Sequence, residues 1–189
     1  MGLSAAALNF PGNAVYHKPV NGKKSIPSYD LIGYVLSVCK NCEEAHRLLS
    51  QSVITDESYG EDLPPTPLHW LIADQKGAFV AESTKDGLQL YHNPLGVLTN
   101  NPPFPSQMTM LSNYMGISAE DPVNKIAPSA PIEPYSRGMG AMGLPGDFSS
   151  ATRFVRAVFV KYASNGQQDG LSQFFRLLGA VEQPDGCVR

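Results

Sequence analysis

"LHWLIADQKGAFVAESTKDGLQLYHNPLGVLTNNPPF", Leu68 to Phe104, decides the fold. Leu68–Asp74 and Ala78–Ser83 are β-branched and aromatic runs flanking Gln75-Lys76-Gly77, a short hairpin turn with glycine. Gly87–His92 alternates apolar and polar residues, as a half-buried strand does. Asn93-Pro94 turns the chain into Leu95-Gly96-Val97-Leu98, which reads as a fourth, buried strand. The stretch therefore predicts four consecutive antiparallel strands. Thr99, Asn100 and Asn101 follow at once, and Pro102-Pro103 cannot continue a ladder. A core strand ending in an amide pair aims fixed polar groups at whatever lies beyond its tip.

Outward from this series, Leu3–Phe10 is a compact apolar run closed by Pro11-Gly12-Asn13 and reads as a strand that begins mid-sheet. Ser25–Ser50 reads as one helix capped by Ser28, with Leu31, Val35, Val38, Cys42, Ala45 and Leu49 on its apolar face. Thr55–Pro67 is a polar, proline-bearing loop, and Pro105–Gly116 carries a short helical pattern. Residues 117–146 have no period and read as a loop, long enough to suggest function. Two helices follow. One is capped by Ser150 with Phe154, Val155, Val158, Phe159 and Tyr162 on its face, and the other spans Leu171–Val181. Strands followed by helices predict a layered α+β domain.

The 189 residues suit one domain, and 42% hydrophobic content allows a sizeable core. A net charge of −3 gives no basic patch for nucleic acid. No run reaches the length of a membrane span, and the first residues lack the positive region of a signal peptide. Three cysteines argue against a disulfide framework, so a reducing, cytoplasmic setting is expected.

Cys39-Lys40-Asn41-Cys42 has CxxC spacing, but its place late in the expected helix gives no help to a thiolate, and packing is the simpler reading. His17, His46, His69 and His92 show no metal-ligand spacing, and His69 beside Trp70 reads as a packed core residue. Asp74, Glu82 and Asp86 read as solvated carboxylates at strand ends and turns. Gly143–Ala157, "GLPGDFSSATRFVRA", is more unusual, because Arg153 lies in the first turn of a helix, where a cation is disfavoured. Either Asp147 compensates it as a structural ion pair, or an anionic or carbonyl-like ligand does; the residues leave both open.

"AALNFPGNAVY" (6–16), "PLHWLIAD" (67–74), "LGVLTNNPPF" (95–104) and "MGLPGDFSSATRFVRAVFVK" (142–161) together resemble, in order, the choloylglycine hydrolases. These are the bile salt hydrolases and penicillin V acylases of the N-terminal-nucleophile superfamily. The helix after "GLPGDFSSATRF" and the later "LSQFFRLLGAVEQPDG" look closer to the bile salt hydrolases. The resemblance implies an α+β fold, the αββα sandwich of two stacked antiparallel sheets between helix layers. It also implies hydrolysis of linear amides with no metal or organic cofactor. The nucleophile is the thiol of an N-terminal cysteine and its α-amine is the base, the N-terminal form of nucleophile-plus-base catalysis. By this resemblance Asn9 helps form the oxyanion hole, Asn100 lies near the scissile carbonyl, and Arg153 lies near the nucleophile. Asn101 is assigned only to the turn. The implied substrate is a small amide, most closely a glycine- or taurine-conjugated bile acid, with penicillin V as the runner-up. No nucleic-acid or membrane partner is implied, and complete members of the family form homo-oligomers.

This sequence departs from that pattern at the nucleophile. Met1 is followed by Gly2, and Cys39, Cys42 and Cys187 are internal. The expectation is a partial domain over 1–189 that lacks the N-terminal nucleophile segment and the C-terminal strands. Such a chain is expected to be inactive alone, poorly stable and prone to aggregation through open sheet edges.

Overall fold

The computed structural model describes residues 2–164 and 169–188. Met1, where the sequence departs from the nucleophile pattern, lies outside the described residues. The chain divides into two compact units, Met1–Gln107 and Met108–Arg189.

The first unit is built on a four-stranded antiparallel sheet. Its strands are β1 (Ser4–Asn9), β4 (Leu68–Ala73), β5 (Ala78–Thr84) and β6 (Gly87–His92), ordered β1-β4-β5-β6. Three of the four expected consecutive strands are therefore present, in the expected antiparallel pairing. The fourth neighbour is β1, which pairs with β4 from Ser4↔Ala73 to Asn9↔Leu68. Among the described strands β1 is an edge strand.

Leu95–Leu98 is not a strand, and buried Asn93 is the reason. Its Oδ1 accepts from the N–H groups of Leu95 (3.1 Å) and Gly96 (2.9 Å), and its Nδ2 donates to the carbonyl of Val97 at 2.9 Å. A side chain that captures local backbone groups in this way competes with ladder formation. Gly96 takes φ +59°, which closes the turn.

The helix expected over Ser25–Ser50 is three elements. Lys24–Pro27 is strand β2, Leu31–Val38 is helix α1 and Cys42–Ser50 is helix α2. Asp30, not Ser28, occupies the N-cap position of α1. The break at Cys39–Asn41 follows from Asn41, whose extended backbone and Oδ1 accepting from Glu44 N–H at 2.9 Å start a new helix. β2 runs parallel to β3 (Ser52–Thr55), with Ile26 opposite Ile54. The two helices between them form the crossover that a parallel pair requires. The α+β class is as expected, and β2-β3 forms a separate two-stranded parallel sheet.

Alternation along β4 and β5 separates two faces. Trp70, Ile72, Phe79 and Ala81 join Ile26, Leu31, Val35, Ala45, Leu49 and Ile54 in the main apolar cluster. The opposite face carries His69 and Glu82, both fully buried. Phe10 stacks on the His69 ring, with centroids 4.3 Å apart, and Phe104 lies near Tyr91 at 6.3 Å.

Helix α3 (Phe104–Leu111) matches the expected short helix. In the second unit, residues 117–146 hold only a 3-10 turn at Met139–Ala141. Helix α4 is Ser150–Ala163, capped by Ser149 rather than Ser150, and α5 is Gly170–Gly179. Phe154, Val155 and Val158 of α4 are buried, whereas Tyr162 is exposed and α5 buries no residue.

Candidate active site

Asn9 is the last residue of β1 and is exposed. The next residue, Phe10, is fully buried and its N–H donates to Pro67 O at 2.8 Å, but Pro67 has no N–H to return the bond and the ladder ends there. Asn100 reaches this point from 91 residues downstream. Its Nδ2 donates to the Asn9 carbonyl at 2.9 Å. The two asparagines named from the sequence are thus brought together by a direct side-chain to main-chain bond. A carboxamide carries two N–H donors and no ionisable proton, so it can hold a developing oxyanion without being titrated.

Asn101 has a different task, and it reaches beyond its own turn. Its Nδ2 donates to Pro11 O at 2.8 Å and its Oδ1 accepts from Asn13 Nδ2 at 2.9 Å. These bonds tie the Pro11–Asn13 turn to the Asn101-Pro102 step, which is a cis peptide.

Three buried residues lie beneath this loop, and two of them, Gln107 and Glu82, escape a reading of the sequence. Gln107, fully buried in α3, donates from Nε2 to the carbonyls of Asn100 (2.7 Å) and Pro102 (2.8 Å). Its Oε1 accepts from the Thr99 hydroxyl at 3.2 Å. Glu82 is not a solvated turn carboxylate. It sits inside β5, where its Oε1 accepts from Phe104 N–H at 2.9 Å and lies 3.0 Å from His69 Nδ1. His69 is a core residue, as expected, but a bonded one. The available signal was a glutamate set inside the strand "AFVAES" on the same alternate face as Val80. Asp74 and Asp86 are structural turn residues. Asp74 accepts from Cys42 N–H at 2.8 Å and from Lys76 N–H at 2.7 Å, and these bonds hold its carboxyl below the usual range.

A groove of about 370 Å³ lies beside the Asn9 end of β1, lined by Ser28, Tyr29, Tyr59, Leu63, Pro65 and Leu68. Leu68, one of the lining residues, is the ladder partner of Asn9.

Arg153 belongs to the second unit. Its Nε donates to Phe148 O at 3.3 Å, and burial, with the nearby charge of Arg156, lowers its pKa. Asp147 spends its carboxylate elsewhere. Its Oδ1 accepts from Ser149 N–H and the Thr152 hydroxyl, each at 2.9 Å, and these bonds depress its pKa. Arg156 is the arginine that grips this turn, donating to Asp147 O and to Pro145 O.

Neither Cys39 nor Cys42 is an activated thiol. Cys42 opens α2 rather than sitting late in a helix, which corrects the sequence reading. Burial and the charge of Asp74 nevertheless push its thiol up to about 11, so the helix start does not generate a thiolate. Cys39 is buried and its thiol is raised by desolvation and then by Glu44. Cys187 is exposed in the second unit.

A family model described as linear amide C–N hydrolases, choloylglycine hydrolase family, matches residues 1–189. The chain is 44% identical over 188 residues to a bile salt hydrolase/transferase of Lactiplantibacillus plantarum, covering 98% of this chain and 58% of that protein. It is 36% identical to a bile salt hydrolase/transferase of Clostridium perfringens, covering 100% and 59%. The crystal structure of a mutant conjugated bile acid hydrolase from Clostridium perfringens superimposes with a TM-score of 0.91 at 34% identity, again over 100% and 59%. Penicillin V acylase from Agrobacterium tumefaciens shares the fold, with a TM-score of 0.73 at 22% identity over 100% and 52%. The chain therefore spans a little under three fifths of these curated relatives, and its fold is that of the N-terminal-nucleophile hydrolases. With four motifs in order and a model matched from end to end, the chain belongs to the choloylglycine hydrolase family of linear amide C–N hydrolases.

Proposed function

We propose that these residues form the carbonyl-binding part of an amidase for glycine- or taurine-conjugated bile acids. The observation that carries the reading is the 2.9 Å bond from Asn100 Nδ2 to Asn9 O, which joins two carboxamide-bearing segments beside a largely apolar groove. In the reaction, a cysteine thiolate adds to the amide carbonyl and the charge develops on its oxygen. Asn9 and Asn100 stabilise that oxyanion by N–H donation. The C–N bond breaks, the amine leaves with a proton and a thioester remains, which water cleaves to the acid and free thiol. Arg153, charged at all working pH values, orients groups near the nucleophile. The groove beside Asn9 takes the apolar acyl body.

Cys39, Cys42 and Cys187 are internal and carry no free α-amine to act as the base, so the 189 residues alone are proposed to bind the substrate without hydrolysing it. The test is a titration of the chain with glycocholate, followed by NMR of the Asn9 and Asn100 side-chain amides. Saturable shifts at both, lost in Asn100→Ala, are expected. Shifts with penicillin V but none with glycocholate would move the reading to the acylase. Release of glycine by this chain would overturn its proposed inactivity.

A further inference from the structure

We infer that Gln107 is a positioning residue for Asn100, with Glu82 anchoring the far end of the same loop. The inference rests on the reading above, in which Asn100 meets the substrate carbonyl. Residues 99–103 belong to no helix or strand, so no ladder fixes their backbone. Their polar groups must find partners elsewhere. Gln107 supplies them at the near end: its two N–H donors go to the carbonyls of Asn100 and Pro102, and its oxygen accepts from Thr99. Glu82 supplies the other end by accepting Phe104 N–H, and His69 Nδ1 holds the carboxylate from the strand alongside. Asn101 closes the outer side on Pro11 and Asn13. Gln107, Glu82 and His69 are all fully buried, so these bonds lie away from competing water and their geometry is narrow.

Gln107 touches the main chain of the very residue whose side chain spans to Asn9. Losing its donors takes a fixed partner from the Asn100 carbonyl, and with it the direction of the Asn100 carboxamide. Gln107 acts through Asn100 and is not itself a group that meets substrate.

The experiment is amide hydrogen exchange on the full 189-residue chain, reading the Asn100 side-chain amide, the 99–104 backbone and Val80 as an interior control. In Gln107→Met, exchange of the Asn100 side-chain amide should rise by about tenfold or more while Val80 stays within about twofold. Glu82→Gln, whose oxygen can still accept from Phe104, should keep the loop protected, and Glu82→Leu should release it. Uniform loss of protection, Val80 included, would show a merely structural role and overturn the inference. Unchanged exchange at Asn100 in Gln107→Met would also overturn it. Glycocholate titration of Asn100→Ala is the separate arm: undiminished binding there would sink the functional reading whatever the exchange shows.

Discussion

The loop at 99–104 and helix α5 are opposites. The loop has no regular structure before α3 begins, yet it is pinned by buried side chains from two strands and a helix. Helix α5 is regular and amphipathic, yet Leu171, Phe174, Phe175 and Leu178 of its apolar face are 65, 53, 62 and 47% exposed. What fastens the segments beside α5 is polar: Arg156 Nε donates to Ala180 O at 3.0 Å, and Gln183 Nε2 donates to Phe148 O at 3.0 Å. Regularity and fixity are therefore separate properties. A helix is set by bonds within itself, whereas a site is set by bonds that arrive from elsewhere.

The comparison breaks most sharply at Glu82. Glu82→Leu leaves Phe104 N–H and His69 without this acceptor in a dry interior. It should cost about 3–5 kcal/mol in urea unfolding, while Glu82→Gln costs much less. Gln107→Met comes next, at about 2 kcal/mol, because two carbonyls and the Thr99 hydroxyl lose a partner. If either loss were no larger than that of a surface substitution, the loop would not be pinned as described.

The α5 side of the comparison predicts a small effect. Phe175→Ser should change stability by no more than about 0.5 kcal/mol, since the ring is exposed. Sedimentation velocity should show less self-association in this variant; a large loss of stability would mean that the helix face is packed after all.

The smallest expected effect is a slope. The Cys42 thiol is raised from 9.0 to about 11 in the folded chain, so the folded state holds its proton longer than the unfolded state. This contribution is full below pH 9 and is lost as pH rises towards 11. Cys42→Ala should flatten that part of the stability profile. At about pH 8, below the ordinary thiol range, mass spectrometry should find iodoacetamide on exposed Cys187 well before Cys42.

Local pattern showed what local forces decide. Runs flanking a glycine turn located β4 and β5, period-two alternation located β6, and period-3.6 spacing located α4 and α5 to within a residue or two. It failed where one side chain redirected the backbone. Asn93 dissolved the expected strand at Leu95–Leu98, and Asn41 cut the expected helix in two. Both are short amides whose effect depends on which neighbour they capture, and an apolar count does not register that choice. The candidate site divides in the same way. Asn9, Asn100 and Arg153 are proposed by resemblance and His69 was read as a core residue, but the burial of Glu82 and Gln107 was not legible, because a polar residue in a strand or helix pattern looks like its solvent face.

The α+β class, strands β4 to β6, the two late helices and the family could be read along the chain alone, since these rest on periodicity and on contiguous motifs. Only the tertiary structure decided that β1 lies beside β4, that Asn100 meets Asn9 across 91 residues, and that Glu82 and Gln107 face inward beneath their loop. Those are pairings between distant residues. Their energy comes from excluding water around particular donors and acceptors, and no local window of sequence contains both partners.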